Sequence, residues 1–434
     1  MRIAGFRSGQ GGPAPLEAGD TKIEKHALTM RRLVLIFAAK HAVISLLPGE
    51  YRVESPQNMR RKATYIHERP GWPEFTWDSD ELAASLAAVR HSQGRLLGRM
   101  ESLGFDLRAE ASLAVLTNEV VKSSAIEGEL LDEAQVRSSI SRRLGLDVAG
   151  LPKPGRDVEG VVEMMLDATR SFDSPLTQER LFDWHASLFP TGRSGLRRIT
   201  VGAWRTSATE PMQVVSGPYG RERVHFQAPQ ADRLESEMGQ FIDGFNAPGP
   251  MDPVLNAGIA HLWFVTIHPF EDGNGRIARA IADIVLARAD GTKDRFYSMS
   301  AQIEAERKSY YRGLEAAQRG GMDITRWLAW FLDCLGRAVD GAEQTLAAVL
   351  YKARLWQYIN RRPVNDRQRR VINRLLDGFK GFLTTSKYAK LAKCSTDTAL
   401  RDIRQLLERG VLVQNPGGGR STSYRLADPE DVSE

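Results

Sequence analysis

From about Asp78 onward, apolar residues return every three or four positions almost without interruption, as in ELAASLAAVRHSQGRLLGRMESL between Glu81 and Leu103. A period near 3.6 lines such residues along one face of a helix, so the pattern commits the chain to a mainly α fold. Strand-like alternation occurs in only two places. MQVVSGPYGRERVHF, Met212–Phe226, alternates on both sides of a Ser-Gly-Pro-Tyr-Gly turn, and VLVQNPGGGRSTSYRL, Val411–Leu426, does so around Gly417, Gly418 and Gly419. Both read as hairpins. There is no βαβ alternation to support a doubly wound sheet, and no internal repeat.

A chain of 434 residues with 42% apolar content is long enough for two or three cores. The helical pattern breaks near Arg361-Arg362-Pro363, which predicts a boundary there. The expected divisions are 1–60 outside the fold, 61–150 as an N-terminal helical region, 151–350 as a central helical core and 351–434 as a C-terminal domain. In the last, helices are expected over Arg367–Leu376, Ser386–Lys393 and Thr396–Arg409. Ser395 caps the third and Gly410 ends it, ahead of the glycine-tipped hairpin. Three helices and a hairpin in this order resemble a winged helix, a variant of helix-turn-helix. Tyr351–Leu426 holds 17 Lys/Arg against 5 Asp/Glu, so this segment carries the basic excess of a chain that is +5 overall. That charge, with Lys387, Lys390, Lys393, Arg401, Arg404 and Arg420 among its carriers, suits a nucleic-acid backbone.

Residues 1–60 are Gly, Pro and charge without periodicity, and Met59, just ahead of the patterned sequence, reads as a candidate start. The run Leu33–Leu47 is shorter than the ~20 residues a spanning helix needs and is interrupted by Lys40 and His41. Arg31 and Arg32 precede it, but it begins thirty residues in and no small-residue cleavage site follows, which disfavours a secretion signal. No membrane association is expected. Cys334 and Cys394 form no CxxC and have no His at metal spacing, so neither a disulfide framework nor a zinc site is implied and the reducing cytoplasm fits best.

HPFEDGNGRIAR, His268–Arg279, is the stretch where chemistry is expected. Asp252-Pro253 opens a helix that ends at His268-Pro269, and Ile277, Ile281, Ile284 and Val285 begin another. A tight loop therefore enters a helix N-terminus, where free N–H groups and the dipole favour an anion. Gly273 and Gly275 allow close backbone approach, Asn274 adds an amide donor, and Arg276 and Arg279 project three residues apart on one face. A polyphosphate satisfies all of them. Asp272 is placed to hold Mg²⁺ bridging phosphate oxygens, and His268 to take a proton from an attacking hydroxyl. A P-loop is excluded, since there is no GxxxxGK[ST].

His268, Phe270, Asp272, Gly273, Asn274, Gly275, Arg276 and Arg279 match every specified position of HxFx[DE]GNGRxxR, and on them the chain resembles the Fic-domain family. The similarity runs from roughly Tyr65 to the C-terminus. It is to the subgroup with an N-terminal helical region, a Fic-type helical bundle bearing a β-hairpin flap, and a C-terminal winged helix. The resemblance implies AMPylation, the transfer of AMP from ATP to a side-chain hydroxyl of a target protein, or of the chain itself, with release of pyrophosphate. It makes His268 the base, Asp272 the Mg²⁺ ligand, and Asn274 with the flanking glycine amides the anion hole. Arg276 becomes the β-phosphate contact, Arg279 the γ-phosphate contact, and Phe270 a core anchor. Relatives that transfer phosphate carry Lys where this chain has Gly275, which favours nucleotidyl transfer. The hairpin Met212–Phe226 corresponds to the flap that docks the target segment by strand addition. Tyr310 and Tyr311 fall where relatives line the adenine pocket. SSAIEG, Ser123–Gly128, matches the family's inhibitory motif [ST]xxxE[GN]. Ser123 and Glu127 share a helical face, Gly128 suits the C′ position, and an acid at a helix end is unfavourable unless a cation meets it. Two other readings stay open: a DNA-binding regulator whose Fic core senses a nucleotide, and removal of AMP with Glu127 orienting a water. A homodimer is compatible with each.

Overall fold

The computed structural model describes residues 64–146, 151–206, 211–216, 221, 223–360, 364–376, 379, 381–417 and 422–427. Met59, the run Leu33–Leu47, Arg361-Arg362-Pro363 and Gly418, Gly419 and Arg420 lie outside these. The described part is mainly helical. No helix in it is long and apolar enough to cross a membrane.

Helix α1 (Ser79–Glu101) starts at Asp78, whose side chain accepts from the N–H groups of Asp80 and Glu81. Helix α2 (Phe105–Ile126) ends where Gly128 takes a φ of +87°, and the Glu129 N–H closes back on the Ser124 carbonyl at 3.0 Å. That is the left-handed terminus expected of glycine past a last turn. Helices α3 (Glu133–Leu144), α4 (Arg156–Arg170) and α5 (Gln178–Leu188) come next. Backbones of α4 and α5 touch at Gly160, where a Cβ would lie 1.8 Å from the Ser187 carbonyl oxygen. After α6 (Leu234–Asn246) comes α7 (Pro253–Ile267), capped by Asp252 and apolar on all sides, as a helix must be when buried all round. It packs along α8 (Asn274–Asp290), which ends at Gly291 with a φ of +65°. Helices α9 (Met299–Ala305), α10 (Arg307–Arg319) and α11 (Thr325–Asn360) complete the main bundle.

The core around α7 and α8 draws residues from every helix through α11, among them Leu96, Leu116, Met164, Phe241, Phe264, Ile281 and Leu332. A second core is built by α12 (Asp366–Leu376), α13 (Thr385–Ala392), α14 (Thr396–Glu408) and a small sheet. The three helices fall where the sequence predicts them, and the Ser395 hydroxyl caps α14 by accepting from the Thr398 N–H. The division at 351 falls inside a continuous element. Helix α11 is 36 residues long; Leu346 and Val349 sit in the first core, and Leu355 and Ile359 in the second.

Strands are few and short. β1 (Arg193–Ser194) and β2 (Arg197–Arg198) form an antiparallel turn that the alternation rule does not detect, because two residues per strand carry no period. β3 (Gln213–Ser216) and β4 (Arg223–Gln227) pair as the first expected hairpin. Most of it, residues 214–225, is a unit apart from 60–213 and 226–434, and inside that unit Ser216 Oγ and His225 Nε2 are 2.6 Å apart. β5 (Leu412–Gln414) and β6 (Tyr424–Leu426) pair antiparallel, with Val413 opposite Arg425.

Candidate active site

The loop between α7 and α8 is set by its own sequence. His268 closes α7 in the left-handed region at φ 52° and ψ 58°, and Pro269 prevents continuation. Phe270 is fully buried and stacks on His185 at 4.2 Å, which anchors the loop in the core. Gly273 then takes a φ of +80° and a Cβ there would press on the Phe189 ring at 3.0 Å, so glycine is required twice over.

Asn274 has a structural part within the loop. Its side-chain oxygen accepts from the Phe270 N–H at 3.0 Å and its side-chain nitrogen donates to the Phe270 carbonyl at 2.8 Å. Each amide group thus makes one bond that locks the loop, and these bonds use only one of the two N–H donors of the amide nitrogen. The backbone adds donors of its own. Among the described residues no side chain caps the first turn of α8, and its N–H groups point out at the positive end of the dipole.

Arg276 and Arg279 flank that turn, and both are already engaged. Arg279 donates from Nη1 to Glu127 Oε1 at 2.8 Å, from Nε to Ser123 Oγ at 3.0 Å and from Nη2 to the Ser123 carbonyl at 2.8 Å. This is the cation expected to meet the acid at the end of α2. Burial lowers the pKa of Arg279, but Glu127 together with Tyr310 and Tyr311 offsets it and the net direction is upward. The Glu127 carboxylate also lies against the cradle itself, since a Cβ on Gly275 would come 2.1 Å from Oε1. Arg276 lies over the Phe189 ring at 5.0 Å and donates to Glu129 Oε2 at 2.6 Å, a partner the sequence pattern does not reveal. Its Nε is buried with no partner among the described residues.

His268 is half-buried and donates from Nδ1 to the Val265 carbonyl at 3.1 Å, the assignment the local hydrogen bonding requires. That fixes the tautomer and leaves Nε2 with a free lone pair. Burial above all, and then the nearby Arg205 guanidinium, hold its pKa down to about 4, against the opposite pull of the Val265 carbonyl, Asp272 and Glu127. The group is a neutral base at physiological pH. Asp272 Oδ1 accepts from the Gly273 N–H at 2.6 Å and Oδ2 from the Ser194 hydroxyl. A single carboxylate suits Mg²⁺ that arrives with phosphate oxygens, because that ion takes one or two protein carboxylates and completes its shell from substrate and water. Among the described residues no group of three or more His, Cys, Asp and Glu is placed to hold a metal unaided.

The profile of the Fic/DOC family matches residues 175–286, which run from just before α5 into α8 and contain this whole loop. Residues 175–286 are a Fic/DOC family domain. A second profile, described as a domain of unknown function (DUF4172), matches residues 65–146, from the first described turn through α3. The chain is 27% identical over 331 residues to a protein adenylyltransferase Fic from Culex quinquefasciatus, covering 72% of this chain and 61% of that protein. It is 26% identical over 326 residues to the protein of the same name from Aedes aegypti, covering 70% and 59%. The chain thus spans about three fifths of the length of these curated relatives. Among solved structures, a Fic family protein from Desulfovibrio desulfuricans G20 is 22% identical, covers 82% of this chain and 98% of its own, and has a TM-score of 0.46.

Around the Fic loop, His185 on α5 is a support that the sequence did not flag. Its Nδ1 accepts from the Gly202 N–H and its Nε2 donates to the Asp272 carbonyl, each at 3.2 Å, and burial pushes its pKa down to about 4. Tyr310 is buried in the bundle, where its hydroxyl donates to His261 Nε2 at 2.8 Å. It lies next to Arg279, while its neighbour Tyr311 is half-buried.

Proposed function

We propose that this chain is a protein adenylyltransferase held in check by its own N-terminal region. The observation that carries the reading is the protein carboxylate, Glu127, lying in an anion cradle beside a neutral histidine with a free nitrogen. ATP enters with its phosphates over the first turn of α8, the β-phosphate toward Arg276 and the γ-phosphate toward Arg279. A target hydroxyl gives its proton to His268 Nε2 as its oxygen bonds to the α-phosphorus. The bond from that phosphorus to the bridging oxygen of the β-phosphate breaks, and pyrophosphate leaves. Backbone N–H groups of Asn274 and Gly275 stabilise the charge that builds on the α-phosphate oxygens. Bound Mg²⁺, with Asp272 as its protein ligand, would supply neutralisation of phosphate charge.

With Glu127 on Arg279, the γ-phosphate loses its partner and ATP sits misaligned. A displacement of ~1 Å at the reacting atom can cost on the order of a hundredfold in rate, so inhibition does not require loss of binding. The test is transfer of label from ATP labelled at the α-phosphate, with Mg²⁺, by full-length protein and by His268→Ala. We expect the variant to bind ATP and transfer none; undiminished labelling in it would sink the mechanism. Removal of AMP, with Glu127 orienting a water, is the alternative use of the same carboxylate.

A second activity is supported by the C-terminal core. Lys390, Lys393, Arg401 and Arg404 stand on α13, the turn after it and α14, the elements that meet DNA in a winged helix. The two cysteines are free, which fits work in a reducing cytoplasm.

A further inference from the structure

Arg205 lies outside the twelve-residue motif, between β2 and β3, and is only 4% exposed. Its backbone N–H donates to the Pro269 carbonyl at 2.9 Å. Its Nε donates to the His268 carbonyl at 2.8 Å, and its Nη2 to the carbonyls of Pro229 at 2.5 Å and Ile267 at 3.5 Å. One side chain therefore gathers the last peptide oxygens of α7 and ties them to Pro229, two residues beyond β4. These oxygens are the unpaired, negative end of a helix, where a guanidinium belongs.

Two features set this arginine apart. Arg276, Arg279 and Arg295 are equally buried, and each has a carboxylate partner. No carboxylate is paired with Arg205 among the described residues, and burial lowers its pKa to about 10. A buried cation without a counter-ion among the described residues is costly and calls for a reason. The second feature is what it holds. His268 is one of two described non-glycine residues with positive φ, a conformation that costs on the order of 1 kcal/mol or more and persists only when its surroundings enforce it.

We propose that Arg205 is the positioning residue for His268, its guanidinium clamping the peptide that carries the imidazole in the left-handed turn and setting the direction of Nε2. The inference rests on the reading of His268 as the base. The planar fork matters as much as the charge, because a lysine ammonium is a point charge and cannot span carbonyls on two segments in fixed geometry. The charged and polar groups that act on the imidazole are Arg205, which disfavours its protonation, and the Val265 carbonyl, Asp272 and Glu127, which favour it. Arg205 is the one cation of that set, so its loss has a signature that general loosening of the fold does not.

Two full-length variants test this, Arg205→Gln, which removes the charge, and Arg205→Lys, which keeps it without the fork. The first readout needs no catalysis. The ¹³Cε1 shift of His268, assigned by comparison with His268→Ala, is followed against pH. We expect the titration midpoint to rise by about half a unit or more in Arg205→Gln and to stay near the wild-type value in Arg205→Lys. The second readout is AMP transfer in the Glu127→Gly background. We expect kcat to fall about tenfold or more in both variants with KM for ATP within about twofold, because the phosphate cradle is built from α8. An unmoved midpoint in Arg205→Gln, or an unchanged kcat in folded Arg205→Lys, overturns the proposal. If the Glu127→Gly parent itself transfers nothing, the functional reading fails, and the imidazole titration still decides the clamp.

Discussion

Replacing Glu127 by Gly removes one hydrogen bond from Arg279 and one carboxylate from the mouth of the cradle. A hydrogen bond to a charged group is worth about 1.5–3 kcal/mol. The Glu127 side chain is 26% exposed, which places this one at the lower end once solvent screening is included. At about 1.4 kcal/mol per factor of ten, a γ-phosphate should take Arg279 roughly tenfold more readily. Relief of the crowding at Gly275 adds to that, so initial rates at subsaturating ATP should rise about tenfold or more. The fold should not suffer. Arg279 keeps both contacts to Ser123, and an acid leaves an unfavourable helix terminus, which offsets part of the lost ion pair. The assay is incorporation of label from α-labelled ATP into protein, with matched melting curves. Adding Arg279→Ala should reverse most of the gain, because the released enzyme still needs its γ-phosphate contact. If Glu127→Gly labels no faster than wild type at any ATP concentration, Glu127 does not restrain transfer and the regulatory reading is wrong.

Glu129 holds Arg276 as Glu127 holds Arg279, though it is 46% exposed and the effect should be smaller. Glu129→Ala in the Glu127→Gly background should lower KM for ATP by about twofold to threefold, measured by the same labelling, and no change would make the pair incidental. His185, His261 and His268 have pKa values of about 4, 3 and 4, first through burial, against 6.5 when unfolded. Below pH 6.5 the unfolded chain therefore binds protons that the folded one refuses, so stability should fall as pH drops toward 4. Melting temperature across that range checks it; a flat profile refutes it. Full-length protein should bind duplex DNA at low salt with log affinity falling steeply against log salt, and Lys390→Glu with Arg401→Glu should weaken it. Absence of binding at low salt in fluorescence anisotropy removes the second activity.

Local signals carried far in this chain. Asp252-Pro253 marks the start of α7, and Ser395 with Gly410 brackets α14, because caps and breakers act within a few residues. The spacing of Ser123 and Glu127 placed them on one face, and the chemistry of an acid at a helix end demanded a cation. Reach across the fold was not legible in the same way. Glu129 meets Arg276 147 positions away, and His185 meets the Asp272 carbonyl across 87. Arg205 touches the His268 peptide 63 residues on. Nothing in the composition near any of them announces the partner. Asn274 adds a contact of the opposite range, since its side chain bridges both backbone groups of Phe270 only four residues away, a loop-locking role that its type alone did not announce.

The uninterrupted run of α11 from the first core into the second sets a rule of phase. Each residue added to or removed from an α-helix turns the helix beyond it by ~100° about its axis and moves it by ~1.5 Å. A one-residue change between Val349 and Leu355 would therefore swing the C-terminal core around its spine, carrying Leu355 and Ile359 round together with Val371 and Leu406 and turning all four relative to Leu346 and Val349. Length variation at this junction preserves the present orientation of the two cores only in near-whole turns of three or four residues. The same screw relation makes the insertion of single alanines here a graded way to rotate one core against the other while every side chain of both is kept.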